Sequence, residues 1–172
     1  GIIFEIINPR SIFIRNPFDH TRLIHMSLHN MSVEPAVETC TAFKIDLAGN
    51  IVWQALHQDG AQYLSTVTGA PSFSGDGSRL YIGGHGGRLW CLDASDGSLI
   101  WVKLLDANDT NELVAPPIVL PDGTVYAIRT HGDGRAFYRL WDAGDKPIEI
   151  FKVSGFASPL SGCPAVADDG SV

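Results

Sequence analysis

Apolar residues along this chain fall in short runs separated by Gly, Asp and Pro. Residues 71–74, 79–84, 88–93 and 98–104 form one set of such runs, and 117–120, 124–130, 136–142 and 148–152 form a second. The runs are rich in Val, Ile, Leu, Tyr and Trp, and turn formers bound them, which predicts β-strands. No convincing amphipathic helical period is present. The run Leu99-Ile100-Trp101-Val102 has no polar alternate. It predicts a strand packed on both faces, because a half-solvated antiparallel strand alternates.

The two sets repeat each other. "KIDLAGNIVW", "CLDASDGSLIW" and "LWDAGDKPIEIF" each carry an apolar residue, an Asp (46, 93, 142), a short turn and an aromatic. The aromatics at 53, 101 and 151 step by 48 and 50 positions. A second marker, the Asp-Gly pairs that start at 76, 122 and 169, steps by 46 and 47. Two markers in phase at one period define a repeat of four short strands. Four-stranded sheets stacked face to face at a fixed period are the blades of a β-propeller. The expected fold is therefore all-β, a propeller segment of about three four-stranded antiparallel blades. A partial blade runs to about residue 57, whole blades span about 69–105 and 115–153, and another begins at 163–172. Residues 1–38 fit no copy well and are expected to contribute strands of a first blade.

Gly83-Gly84-His85-Gly86-Gly87 lies between the second and third strands of its repeat, and so does Thr130-His131-Gly132-Asp133-Gly134. A phosphate cradle needs glycines that open a helix. A strand follows on both occasions, so the glycines are expected to supply positive φ in a turn. His85 and His131 remain candidate ligand residues on one rim. In "LIHMSLHN", Ile24, Met26 and Leu28 alternate with His25, Ser27 and His29. As a strand this places His25 and His29 about 13 Å apart, four steps of roughly 3.3 Å, too far to share a metal ion. As a helix it would make them neighbours, with His20 close by. The alternation favours the strand.

Composition narrows the function. The net charge is −7 and the chain has no Lys/Arg run, against the basic footprint of a nucleic-acid binder. No apolar stretch approaches the roughly 20 residues of a spanning helix. Cysteines at 40, 91 and 163 form no CxxC pair, so neither a zinc site nor a full disulfide framework is expected. GxSxG, HExxH, a P-loop and a GxGxxG that opens a helix are all absent, and no catalytic or metal-binding residue is singled out.

At "LYIGGHGGRLWCLDASDGSLIW" the sequence resembles the repeat of pyrroloquinoline-quinone (PQQ) type propellers. Tyr81-Ile82-Gly83, Gly87, Leu92-Asp93, Gly97 and Trp101 fill that motif, and Ile45-Asp46, Gly49 and Trp53 fill the later half of an earlier copy. The third copy departs, with Lys146-Pro147 at the Gly place and Phe151 at the Trp place. The resemblance implies that the Asp-turn-Gly and the closing aromatic dock neighbouring blades. It assigns Asp46, Gly49, Trp53, Asp93, Gly97, Trp101, Asp142 and Phe151 to that structural task.

The family includes a lipoprotein propeller of the bacterial outer-membrane assembly machine, sensor propellers and PQQ-dependent dehydrogenases. The expected role is a non-catalytic scaffold that binds protein partners or further blades, without a cofactor, in the periplasm or outside the cell. The alternative implied by the resemblance is part of a quinoprotein dehydrogenase that uses PQQ and calcium. Its alcohol-oxidising members carry an adjacent Cys-Cys pair that this sequence lacks. A WD40 reading rests on Gly84-His85 and Trp141-Asp142. These stand 56 positions apart, more than the ~40–45 residues of a whole WD40 repeat.

Overall fold

The computed structural model describes residues 11–15, 22–29, 38–46, 48–60, 62–64, 70–105, 113, 115–129, 135–156, 165 and 167. They form three four-stranded antiparallel sheets and one small hairpin. Strands β1 (Ser11–Arg15), β2 (Arg22–His29), β3 (Glu38–Ile45) and β4 (Ile51–Ala55) make the first sheet. The hairpin is β5 (Gln58–Asp59) and β6 (Gln62–Tyr63). The second sheet holds β7 (Ser72–Phe73), β8 (Arg79–Gly83), β9 (Arg88–Asp93) and β10 (Leu99–Leu104). The third holds β11 (Ile118–Val119), β12 (Thr124–Arg129), β13 (Ala136–Asp142) and β14 (Pro147–Ser154). In each sheet neighbouring strands are consecutive in sequence, so each is a simple meander, an incomplete set of propeller blades.

Turn chemistry closes the meanders. In the β7–β8 turn the Gly77 N–H donates to Ser74 O at 2.9 Å, and Asp76 Oδ1 accepts from the Ser78 N–H at 3.0 Å. The β11–β12 turn repeats this with Gly123 and Asp122. These Asp-Gly pairs are hairpin turns. Between β8 and β9, His85–Gly87 form one 3-10 turn in which Gly86 and Gly87 have φ of 64° and 65°. The glycine nest is thus a turn, and β2 includes the whole alternating segment Ile24–Leu28.

Two apolar cores lie between the sheets. Ala42, Trp53 and Ala55 of the first sheet pack with Leu80, Ile82, Trp90 and Leu92 of the second. Tyr81, Leu89, Cys91 and Trp101 pack with Val125, Ala127, Tyr138 and Leu140 of the third. Even-numbered residues of β8 therefore face one neighbour and odd-numbered residues the other, as a period of two demands. β8 and β9 are buried on both faces, whereas β10 is not: Leu99 is exposed, and Ile100 and Val102 are half-buried. The reason is position, since β10 is the outer strand of its sheet and pairs with β9 alone.

Candidate functional site

The densest polar cluster among the described contacts lies where the second sheet meets the third, around Asp142 at the end of β13. Its Oδ2 accepts from Arg79 Nη1 at 2.6 Å and from the Tyr81 hydroxyl at 2.6 Å. Its Oδ1 accepts from Trp101 Nε1 at 3.1 Å and from the Gly144 N–H at 2.9 Å. Arg79 also donates to Gly144 O at 2.8 Å. Strand periodicity builds the cluster: Arg79 and Tyr81 are alternate residues of β8, Cys91 lies opposite Tyr81, and Trp101 lies opposite Cys91. All four point at the third sheet. The carboxylate is only 4% exposed. Above it opens a cleft of about 320 Å³, lined in part by Ser74, Asp76, Ser78 and Asp122.

Electrostatics fixes the protonation states. Burial alone would raise the Asp142 carboxyl, but hydrogen bonds from Tyr81, Gly144, Arg79 and Trp101 outweigh it and hold the group below its ordinary range. Burial first, and then the hydrogen bond to Asp142, pushes the Tyr81 phenol well up. Burial and the Asp142 charge push the Cys91 thiol up to about 12. A saturated carboxylate is a poor base, and a thiol protonated at neutral pH is a poor nucleophile. The cluster holds two sheets together and offers no activated group. Asp76 and Asp122 are likewise committed to their own turns, with Asp76 held at about 2 by Ser74 and Ser78.

The joint between the first and second sheets follows the same plan with other chemistry. Trp53 Nε1 donates to Ala94 O at 3.2 Å, and Lys44 Nζ donates to the same oxygen at 3.0 Å. The Trp53 ring lies on Gly97, where an added Cβ would meet Cε3 at 2.6 Å. His57 Nε2 adds a 2.8 Å hydrogen bond with Gly97 O. Trp53, Gly97, Trp101 and Asp142 thus sit at blade joints. Among the described residues Asp46 and Asp93 do not reach across: their carboxylates accept from Ala48 and Asn50, and from Ser95, within their own turns. Gly49, at φ +90°, has nothing within 4 Å of an added Cβ. Phe151 is 40% exposed and docks no blade among the described residues. The backbone of His85 is in the turn already described, and His131 lies outside the described residues.

Arg79, Lys44 and His57 were not singled out from the sequence, and Tyr81 entered only as part of the repeat motif, without a docking role. Arg79 and Tyr81 carried one usable signal, two polar-tipped residues alternating with Leu80 and Ile82 at the start of a strand. A calcium-bound quinone does not fit the described residues. No group of three or more His, Cys, Asp or Glu side chains among them lies within reach of one ion. Asp142 already faces Arg79, and Trp53 and Trp101 have their rings buried in joints.

Comparison with known proteins bears on the fold. The family model described as "Outer membrane protein assembly factor BamB" matches residues 30–161. Protein Rv3035 of Mycobacterium tuberculosis is 34% identical over 79 residues, 46% of this chain and 18% of that protein. BamB from Moraxella catarrhalis superposes with a TM-score of 0.52 at 21% identity, over 88% of this chain and 40% of that one. A europium-containing methanol dehydrogenase gives 0.55 at 14% identity, over 77% of this chain and 23% of that one. The quinohemoprotein alcohol dehydrogenase ADHIIG of Pseudomonas putida HK5 gives 0.57 at 13%, over 84% and 20%. The chain therefore spans less than half the length of each of these relatives.

Proposed function

Starting from a chain that belongs to the family of outer membrane protein assembly factor BamB, with its PQQ-like propeller repeats, we propose that it acts as a non-catalytic scaffold. Its blades present surfaces to protein partners, in the periplasm or at the outer membrane. The observation that carries this reading is the fate of the polar groups. Asp142, Arg79, Tyr81, Trp101, Lys44 and Trp53 are all spent on joining blades. The chemistry of the densest cluster is that of a rivet, with its acid ionised, its phenol and thiol protonated and its cation paired. The likeness to BamB supports the location and the protein partners, and the likeness to two alcohol dehydrogenases supports only the shared propeller fold.

The test uses the full-length protein, purified and supplied with PQQ and calcium. The scaffold reading expects no retained quinone absorbance and no dye-linked oxidation of methanol, ethanol or glucose. It also expects a discrete cross-linked adduct with an envelope protein in intact cells. Retained quinone together with alcohol oxidation would overturn it and move the chain into the dehydrogenase class.

A further inference from the structure

The glycine nest of residues 83–87 is a turn by its local geometry, and it is also where the two linkers that join the three sheets meet. The first linker leaves β4 as a closed loop. The Leu64 N–H donates to His57 O at 2.6 Å, and the β5–β6 hairpin lies between the two residues. Three contacts of different chemistry fasten this loop to the second sheet. His57 Nε2 makes its 2.8 Å hydrogen bond with Gly97 O, and Arg88 Nε donates to Asp59 Oδ2 at 2.8 Å. Leu64 is buried in one core with Leu80, Ile82, Trp90 and Leu92. The second linker leaves β10. Its Leu105 N–H donates to Gly87 O at 2.9 Å and its Leu113 N–H to Gly84 O at 3.3 Å. Both leucines lie in the core of the second joint.

The turn lies between these linkers without slack. Arg88 also donates through Nη1 to Gly86 O at 3.1 Å. Gly86 and Gly87 are consecutive and both left-handed, so the directions of their carbonyls are set together. One carbonyl serves Arg88 and the other serves Leu105. The backbone that enters the turn is wedged on both sides. A Cβ on Gly84 would meet Trp90 Nε1 at 2.8 Å, and one on Gly83 would meet Leu113 Cβ at 2.9 Å. Trp90 belongs to the core of the first joint and Leu113 to that of the second. Close-packed groups pass a displacement on instead of absorbing it. We propose that the turn couples the two joints: the loop of residues 57–64 is a strap latched by Asp59 onto Arg88, and releasing it at the first joint loosens the linker at the second. The latch is built to release. The Asp59 side chain is 41% exposed and that of Arg88 only 6%, so salt competes for one partner while the other is held in the protein. A buried guanidinium that loses this carboxylate is drawn toward water, and its bond to Gly86 O pulls on the turn. The inference concerns how motion passes between joints and stands whether or not the scaffold reading holds.

The test is amide hydrogen exchange of the full-length protein, read residue by residue, with Asp59→Ala and Asp59→Glu. Asp59→Ala should speed exchange at the Leu64, Leu105 and Leu113 N–H groups together, each by about fivefold or more, and leave the N–H groups of β12 and β13 unchanged. Asp59→Glu retains the carboxylate and should retain most of the protection. Sodium chloride at about 1 M should reproduce the effect in the parent protein and add little to Asp59→Ala. Faster exchange confined to Leu64 would overturn the coupling, because the strap would then open without moving the turn. An equal rise through β12 and β13 would overturn it too, as a general loss of stability. No change at Leu64 would show that Asp59 latches nothing.

Discussion

At the scale of single residues, Asp142 is the most heavily committed group in the molecule's described part. Removing it strands a half-buried guanidinium, a buried phenol and a buried indole. Asp142→Ala is expected to lower the unfolding free energy by about 3–5 kcal/mol, the range for breaking one partner of a buried pair. Trp101 tests the other end. Trp101→Phe keeps the packing against Tyr81 and loses only the N–H, at about 1–2 kcal/mol. Trp101→Ala also leaves a void and is expected to cost about 3–5 kcal/mol. Chemical denaturation of the three variants checks the order, and equal midpoints for Trp101→Ala and the parent would defeat the docking role. The same carboxylate sets a pH dependence. Its folded pKa lies below the ordinary 3.8. Its contribution is therefore fully present above about pH 4 and is lost as pH falls through the depressed value. Asp76, held at about 2, acts in the same direction. Melting temperature should fall between about pH 4 and pH 2, and Asp142→Asn should remove part of that slope.

At the scale of elements, the turns after the third strands show what a joint requires. Gly97 has φ +76° and lies under the Trp53 ring, so an alanine there meets both backbone strain and an aromatic wall. Gly49 has φ +90° and open space. Gly49→Ala should cost only the left-handed penalty, about 1–2 kcal/mol. Gly97→Ala should cost at least about 1 kcal/mol more, because the ring must move. Thermal melts of the two variants side by side check this. These elements also mark what the sequence could reveal. The strands of the second and third sheets were legible, because apolar runs bounded by Asp-Gly and Gly-rich turns have little else to become. Trp53, Gly97, Trp101 and Asp142 were legible as joints through the family motif. Arg79 and Tyr81 were not, because a joint is made across two repeats, and a period read along one strand does not say which side chain meets which neighbour. The same gap led to Asp46 and Asp93 being grouped with Asp142. The three occupy equivalent places in the repeat, and among the described contacts only Asp142 sends its carboxylate across a joint.

At the scale of the whole molecule, the blades stack in one direction, and each joint is made by the outer strand of one sheet on a turn of the next. Among the described residues no further sheet packs beyond the one that β14 closes. Its Ile148, Ile150, Phe151 and Val153 are 40–52% exposed, and Trp141 beside them is 45% exposed. As the outer strand of its sheet it also has no second strand partner among the described residues. A contiguous apolar surface with a free strand edge promotes pairing between copies. The 172 residues expressed by themselves should therefore sediment as concentration-dependent oligomers. Val153→Lys is the discriminating variant. Val153 is 47% exposed, so the substitution removes little packing within the sheet, while a lysine on an edge strand opposes edge-to-edge pairing. Sedimentation should shift toward monomer with little change in melting temperature. The result fails if the unsubstituted chain is a monomer at every concentration with a sharp cooperative melt. Three blades would then be self-sufficient, and the apolar face of β14 would be a surface the molecule tolerates in water rather than one it needs covered.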